Sequence, residues 1–481
     1  MRSPPRMPIT LEPIIGLEVH AQMNTKTKMF CGCDNDAWGK EPNTTVCEIC
    51  MGHPGTLPVP NREALRKAAR AAVALGCTIA SDCHFDRKHY FYPDLPMGFQ
   101  ISQYDFPLAS KGYVDYDMLE EHRCRIHRLH IENDAGKLTH ERGKTLCDFN
   151  RAGTPLMEIV TEPDLRSAEE AAAFAQELRR ILITVNASEA DMYKGMMRFD
   201  ASISLREKGT EKLNPRSEIK NLNSFKALER ALTYEEKRLR KLWEESNGPL
   251  PGNITVGWLD SEGCTRILRE KEEAQDYRYL PEPDLPPLAS SVKEIENIRA
   301  SLPPLPRTQR RSYIAHGLEN AQAQILLDEP HLRSIFDAVL NHTKDPRKTS
   351  GIVLTNLLGA MQKHGKAMED LPRPDSILDL LDYVASGALS SNAAKGVLDD
   401  MVKTGKSAGE IIREQGLTPI ADGAELQNIV ARAIAANPNA VLSFKKGKTQ
   451  ALGAIIGWVM KETKGKADPA KVNEILLKTL H

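Results

Sequence analysis

Asp200-Ala-Ser-Ile-Ser-Leu-Arg206 alternates polar and apolar positions with a period of two, the pattern of a strand with one face buried. Its surroundings repeat the character. Ile14-Ile-Gly-Leu-Glu-Val-His20 and the longer Met197–Arg206 run are short apolar stretches punctuated by Gly, Pro, Asn and Asp. Helices sit among these strands. Ser167 followed by Glu170 forms a capping-box pattern, and Phe174, Leu178, Ile181, Leu182 and Val185 then recur at helical spacing. A second helix is predicted from about Ser224, with Leu228, Leu232, Leu239 and Leu242 on one stripe. A third covers roughly Glu63 to Leu75 and stops at Gly76, a natural C′ residue. Strands interleaved with helices and turns predict an α+β fold, its first domain built on a mixed, mainly antiparallel sheet.

Composition changes near residue 290. Leu280-Pro-Glu-Pro-Asp-Leu-Pro-Pro-Leu288 cannot continue a helix and supplies few strand donors, so it reads as the exit from the first domain. From Ser301-Leu-Pro-Pro-Leu-Pro306 onward the pattern is helical nearly throughout, with a break around Gly405 to Gly416. Asp468-Pro469 reads as an N-cap followed by Pro at the first helical position. The expected division is 1–294, 295–405 and 406–481, within the two to four domains that 481 residues suggest.

With 64 Lys+Arg against 65 Asp+Glu the chain is not a basic nucleic-acid coat, although a local basic patch is compatible with that balance. No apolar run approaches the roughly 18 residues that span a bilayer. The opening Met-Arg-Ser-Pro-Pro-Arg-Met-Pro has neither a signal-peptide core nor a transit-peptide character. A soluble, cytoplasmic protein is expected, with no membrane partner. All nine cysteines lie in the first 264 residues; a secreted disulfide scaffold would be shorter and denser in cysteine.

Cys31-Gly-Cys33 and Cys47-Glu-Ile-Cys50 are two close thiol pairs separated by thirteen residues, the ligand spacing of tetrahedral zinc. Four thiolates leave no open position, so that zinc would be structural. A redox pair at Cys47 and Cys50 would leave Cys31 and Cys33 unexplained, and unligated core cysteines are the plain alternative. Acidic residues and a histidine recur in strand-like motifs: Glu18-Val-His20, His130-Ile-Glu132-Asn-Asp134, Glu158-Ile-Val-Thr-Glu162 and Phe199-Asp200. Carboxylates suit Mg²⁺, and alternation puts Glu18 and His20 on one strand face. Spacing alone leaves open whether these groups converge or are separate solvated carboxylates. Arg87-Lys-His-Tyr-Phe-Tyr-Pro-Asp-Leu-Pro96 packs cations and aromatics that suit a polar passage, an adenine pocket or a proline-stiffened surface loop. No GxxxxGK[ST] loop, GxGxxG fingerprint or GxSxG elbow is present. From Met401 onward there are twelve Lys+Arg against seven Asp+Glu, bunched at Lys445, Lys446 and Lys448 and at Lys461, Lys464 and Lys466. These clusters suit a phosphate backbone, or simply a solvated helix face.

Taken in order, Ile15–His20, Phe85–Asp94, Gln100-Ile-Ser-Gln103, Asp134-Ala-Gly-Lys137, Asn150–Pro155, Glu158–Asp164, Glu218–Phe225 and Asp276–Asp284 resemble the GatB family, the B subunits of tRNA-dependent amidotransferases, across most of residues 14–290. Lys448–Gly453 and Met460–Lys466 resemble that family's YqeY-like tail domain. The resemblance implies a cradle domain with a zinc-binding loop, an all-α helical domain and a YqeY-like, tRNA-binding tail. It implies a heterotrimer with an amidase-like A subunit and a small C subunit, acting on mischarged tRNA. The non-discriminating aminoacyl-tRNA synthetase is a further expected contact. The implied reaction uses ATP and Mg²⁺ to phosphorylate the side-chain carboxylate of Glu-tRNA or Asp-tRNA, which channelled ammonia then amidates.

By the same resemblance His20, Glu132 and Glu158 fall on metal-binding catalytic positions. Glu18 and Asp200 are further expected magnesium ligands, and Lys88 and Tyr90 parts of an ammonia passage. Asn133 stands where a third acidic residue is common, which puts a charged gate paired with Lys88 in doubt. His89, Met97 and Ser202 also depart from the usual pattern. The rival readings are a ligase acting on free glutamate and a non-catalytic tRNA adaptor. Whether Gln-tRNA or Asn-tRNA is the product depends on which tRNA is mischarged.

Overall fold

The alternation around Asp200 becomes a strand from Met197 to Glu207, near the middle of a nine-stranded sheet. The computed structural model describes residues 10–270, 277–417, 423–445, 449–463, 467 and 469–480. The chain divides into two units, Met1–Gln309 and Arg310–His481.

The first unit begins with β1 (Leu11–Gln22), α1 (Arg62–Ala74), β2 (Thr78–Ile79), β3 (Asp82–Cys83), β4 (Asp86–His89) and β5 (Phe99–Ser102). It continues with β6 (Ala109–Asp117), β7 (Glu121–Asn133), the hairpin β8 (Lys137–Glu141) and β9 (Lys144–Asp148), then β10 (Pro155–Thr161) and α2 (Ala168–Thr184). β11 (Met197–Glu207), β12 (Ser217–Leu222), α3 (Phe225–Ser246), β13 (Ile254–Leu259) and β14 (Cys264–Glu270) follow. The main sheet runs β14-β13-β12-β11-β1-β10-β7-β6-β2. Its pairs are antiparallel except β12 with β13.

Period two gives the central strands two different faces. Leu17, Val19 and Ala21 of β1, Met157 and Ile159 of β10, and Phe199, Ala201 and Ile203 of β11 enter one apolar core. Phe174, Leu178 and Leu182 of α2 and Leu228 and Leu232 of α3 are buried in the same core. Full burial of side chains this size contributes on the order of 1.5–3 kcal/mol each, so the helices hold this face shut. The alternate residues, among them Glu18, His20, Glu158 and Asp200, lie on the other face.

Local signals set the helix ends. Ser224 caps α3 and Ser167 caps α2 through N–H groups three residues on. Glu170 does not complete a capping box. Its carboxylate reaches back one residue past the cap, accepting from Arg166 N at 2.7 Å, and accepts from the Tyr116 hydroxyl at 2.7 Å, so a neighbouring backbone group and a tertiary partner take the place of the Ser167 N–H. Gly76 follows α1 at φ +65°, a region costly for residues with a Cβ.

The proline-rich stretch after Leu280 contributes β15 (Leu280–Pro281), paired with β4, and β16 (Leu288–Ala289), paired with β3. Two short edge pairings need few donors, so proline is tolerated there. Arg87 forks onto the buried Glu282 at 2.8 and 2.9 Å. This segment is therefore fastened to the first unit rather than leaving it.

Among the described residues of the second unit every regular element is a helix. One core gathers Leu326, Phe336, Val353, Leu357, Ile377 and Val397, and a separate one gathers Val430, Ile455, Val459, Val472 and Leu476. The helix before Gly405 ends there in a left-handed cap, and helices restart at Ala408. The final helix starts at Pro469; its expected cap, Asp468, lies outside the described residues. The fold is α+β, with a mixed sheet domain followed by helical domains.

Candidate active site

Cross-strand register places the chemistry. His20 of β1 lies opposite Glu158 of β10, which lies opposite His130 of β7. One Glu158 oxygen lies 3.4 Å from His20 Nε2 and 3.4 Å from His130 Nε2. Glu132, two residues along β7, faces the same way, 3.9 Å from His130 Nε2, and accepts from Ser102 Oγ at 3.1 Å. Ligand atoms of His20, Glu132 and Glu158 lie within 4.8 Å of one another.

Burial alone would neutralise Glu158 and His20, but the charges around them do the opposite. Burial pushes Glu158 up, yet His130 and His20 outweigh it and hold the carboxyl well below its ordinary range. Burial pushes His20 down, and the hydrogen bond and charge of Glu158 more than restore it, leaving the imidazole above its usual value. His20 Nδ1 and His130 Nδ1 are buried without hydrogen-bond partners among the described residues. Two carboxylates from adjacent strands suit a hard dication that keeps further positions for water and phosphate oxygens. The residues present therefore fit magnesium, which Glu132 and Glu158 would hold with His20 beside them.

Glu18 and Asp200 face each other across β1 and β11 on this same side, outside the tight trio. Asp200 accepts from Lys220 Nζ at 2.8 Å, and Lys220 also pairs with Glu218 at 2.7 Å. Burial, then the charges of Glu158, Asp200 and Glu218, push the Glu18 carboxyl up. Beyond Glu18 a pocket of about 410 Å³ opens, lined by Gly16, Thr161, Ser202, Asn214, Arg216 and Asn253. Arg198 reaches the buried Asp134 at 3.1 Å and Gln22 reaches it at 2.9 Å, bracing the strand ends at the site.

Lys88 extends from β4, its Nζ 5.0 Å from the Tyr277 ring centroid and 6.0 Å from that of Tyr90. Burial disfavours its charge, but Glu132, with help from Tyr279 and Glu158, holds the ammonium above its ordinary range. Burial likewise pushes the Tyr90 phenol up. Asn133 points away from Glu132, as strand parity requires. Its Oδ1 accepts from Ile101 N at 2.8 Å and its carbonyl accepts from Gln100 Nε2 at 2.9 Å. Asn133 is thus a strut between β7 and β5.

Cys31, Cys33, Cys47 and Cys50 bring four sulfurs within 4.8 Å of one another. The Cys50 thiol is drawn down to about 5, first by a hydrogen bond from Cys31 and, against burial, by the Cys47 N–H and the Lys28 charge. Lys28 Nζ lies 3.8 Å from Cys50 Sγ. A closed set of four sulfur donors fits structural zinc. Of the tail lysines, Lys445 and Lys461 are exposed on helices; Lys446, Lys448, Lys464 and Lys466 lie outside the described residues.

Sequence reading singled out His20, Glu132 and Glu158 but gave no role to His130, Ser102 or Arg198. His130 carried a usable signal, since it precedes Glu132 by two and so shares its strand face. The approach of Ser102 and Arg198 depends on strand order, which no local pattern encodes.

Residues 13–296 match the family model described as the GatB/GatE catalytic domain, and residues 334–480 match the GatB domain. The chain is 44% identical over 473 residues to the B subunit of the aspartyl/glutamyl-tRNA(Asn/Gln) amidotransferase of Caldanaerobacter subterraneus subsp. tengcongensis, covering 98% of this chain and 99% of that one. It is 43% identical over 476 residues to the protein of the same name from Moorella thermoacetica, covering 98% and 99%. To that of Symbiobacterium thermophilum it is 44% identical over 481 residues, covering 98% of each. The chain belongs to the GatB family, the B subunits of aspartyl/glutamyl-tRNA(Asn/Gln) amidotransferases.

Proposed function

We propose that this chain is the activating component of a glutamine-dependent amidotransferase. It takes a tRNA mischarged with glutamate or aspartate, phosphorylates the side-chain carboxylate with ATP, and has ammonia displace the phosphate. Its partners are an amidase-like A subunit and a small C subunit, with the mischarging synthetase as a further contact. No helix among the described residues is long and apolar enough to cross a membrane, and the reaction is placed in the cytoplasm. We assign catalysis to 1–294, helical support to 295–405 and tRNA binding to 406–481.

A free carboxylate repels nucleophiles and offers no leaving group; an acyl phosphate offers one. Phosphoryl transfer asks mainly for positioning and charge neutralisation. Magnesium, when bound, supplies that neutralisation. Glu132 and Glu158, with His20 beside them, would hold it, and Glu18 and Asp200 extend the acidic face toward the 410 Å³ pocket, where ATP is placed. Structural zinc is assigned to the four cysteines.

Lys88 is held charged by Glu132, so it is not a proton acceptor. As a fixed cation beside Tyr90 it repels ammonium and admits neutral ammonia, the form that carries a nucleophilic lone pair. The ammonia passage is therefore assigned to Lys88 and Tyr90, with Asn133 contributing scaffold in place of a charged gate.

The observation carrying this reading is the convergence of His20, Glu132 and Glu158 from three neighbouring strands. Its test is Glu158→Gln in the assembled complex. Transamidation should fall by about 100-fold or more, with glutamine hydrolysis and tRNA binding kept. Unchanged product formation would favour the tRNA adaptor, and efficient conversion of free glutamate the ligase without nucleic acid.

A further inference from the structure

One group of side chains beside the site has no part in the chemistry above. Tyr104 and Tyr279 stack with ring centroids 4.3 Å apart and planes 16° apart. Tyr104 is nevertheless 47% exposed. The guanidinium of Arg128 lies 5.8 Å from the Tyr104 centroid. Arg128 precedes His130 by two on β7, so it faces the same cleft. Its Nε is buried without a hydrogen-bond partner among the described residues.

The platform is rigid and close to the reacting groups. Tyr104 N donates to Asp86 Oδ2 at 2.8 Å. The preceding Gln103 accepts from Leu108 N at 3.2 Å and from Ile131 N at 3.1 Å. Tyr279 packs edge-on against Tyr277 with ring centroids 6.2 Å apart, and the Tyr277 ring lies 5.0 Å from Lys88 Nζ. A pinned, half-exposed aromatic stack beside a guanidinium whose Nε has no hydrogen-bond partner among the described residues is the chemistry that seats a nucleoside with its phosphate: the ring takes the base and the guanidinium the anion.

Two adenosines enter this reaction, that of ATP and the one bearing the esterified amino acid. Geometry favours the second. Through Tyr277 the stack joins the Lys88 end of the site, to which the ammonia passage is assigned. The open pocket beyond Glu18 is lined by β1, β10 and β11. In-line transfer puts donor and acceptor on opposite sides of the moving phosphoryl group.

We propose that Tyr104, stacked on Tyr279, together with Arg128 forms the subsite that seats the 3′-terminal adenosine of the mischarged tRNA. The proposal rests on the functional reading above. Tyr104 and Arg128 are substrate-positioning residues in it.

The test uses the assembled complex with Tyr104→Ala, Tyr104→Phe and Arg128→Gln. KM for Glu-tRNA is measured at saturating ATP, and KM for ATP at saturating Glu-tRNA. The probe in a third arm is adenosine carrying glutamate through a 3′-amide, used as a competitive inhibitor. Tyr104→Ala should raise KM for Glu-tRNA and weaken the probe by about tenfold, with KM for ATP within twofold. Tyr104→Phe, which keeps the ring, should stay near wild type and shows that the site is intact. Arg128→Gln should weaken the tRNA more than the phosphate-free probe. A raised KM for ATP with Glu-tRNA unaffected would hand the subsite to the nucleotide and overturn the assignment; so would Tyr104→Ala values all within twofold of wild type. Failure of the wild-type complex to amidate both Glu-tRNA and Asp-tRNA would instead overturn the functional reading itself.

Discussion

A carboxylate between two imidazoles is a choice made at single residues. Glu158 faces His20 and His130, and these two imidazoles, not a lysine, hold its carboxyl below the ordinary range. Parity made half of this visible in the sequence, because residues two apart share a face. Convergence was invisible, since it needs β1, β10 and β7 to be neighbours, and 138 positions separate His20 from Glu158. Asp164, in the block that follows Glu158, shows how the strand end is secured. Its Oδ1 accepts from Arg125 Nη2 at 2.7 Å and its Oδ2 from Arg125 N at 3.0 Å. Burial raises the Asp164 carboxyl, but these bonds and the Arg125 charge win and leave it below the usual 3.8. A depressed carboxylate contributes stability above its unfolded value and loses it as pH falls through the folded one. Asp164→Asn should therefore lower stability by about 1 kcal/mol at pH 7. The gap from wild type should close below about pH 3.8, as read by melting temperature across a pH series.

At the level of elements, the cysteine loop illustrates what short motifs convey. The paired spacing announced four sulfurs around one point, and they meet. What the loop leans on was not encoded locally. Asn43 Nδ2 donates to the Cys147 carbonyl at 3.1 Å, Asn150 Nδ2 to the Glu41 carbonyl at 2.7 Å, and Lys28 Nζ to the Phe149 carbonyl at 3.4 Å. The loop thereby braces the segment that leads into β10 and Glu158. Freshly purified, reduced protein should carry about one zinc per chain by elemental analysis. Chelation or Cys47→Ser should lower the first unit's melting temperature. Near-zero zinc would return the cysteines to ordinary core residues. The helices were the most readable elements, because one apolar stripe and one capping serine suffice for α2 and α3. The proline-rich stretch was the least, since its two short pairings are decided by the strands it meets.

For the whole molecule, charge is unevenly distributed along the sequence. The first unit concentrates acid at a cleft, and the tail concentrates lysine. Truncation before about Gly405 should weaken tRNA binding and flatten its salt dependence while leaving ammonia release intact; equal affinity of both forms at one fixed salt concentration would count against this. The order of the motif blocks made the family legible from the sequence, and the site's shape then followed from sheet register. The central claim, that this cleft makes an acyl phosphate, is tested most directly by oxygen tracing. Glu-tRNA labelled with ¹⁸O in the side-chain carboxylate is given to the complex with ATP and ammonia, and the phosphate is analysed by mass. Transfer of one labelled oxygen to each phosphate, lost with Glu158→Gln, is the predicted result. Unlabelled phosphate alongside amidated tRNA would contradict it.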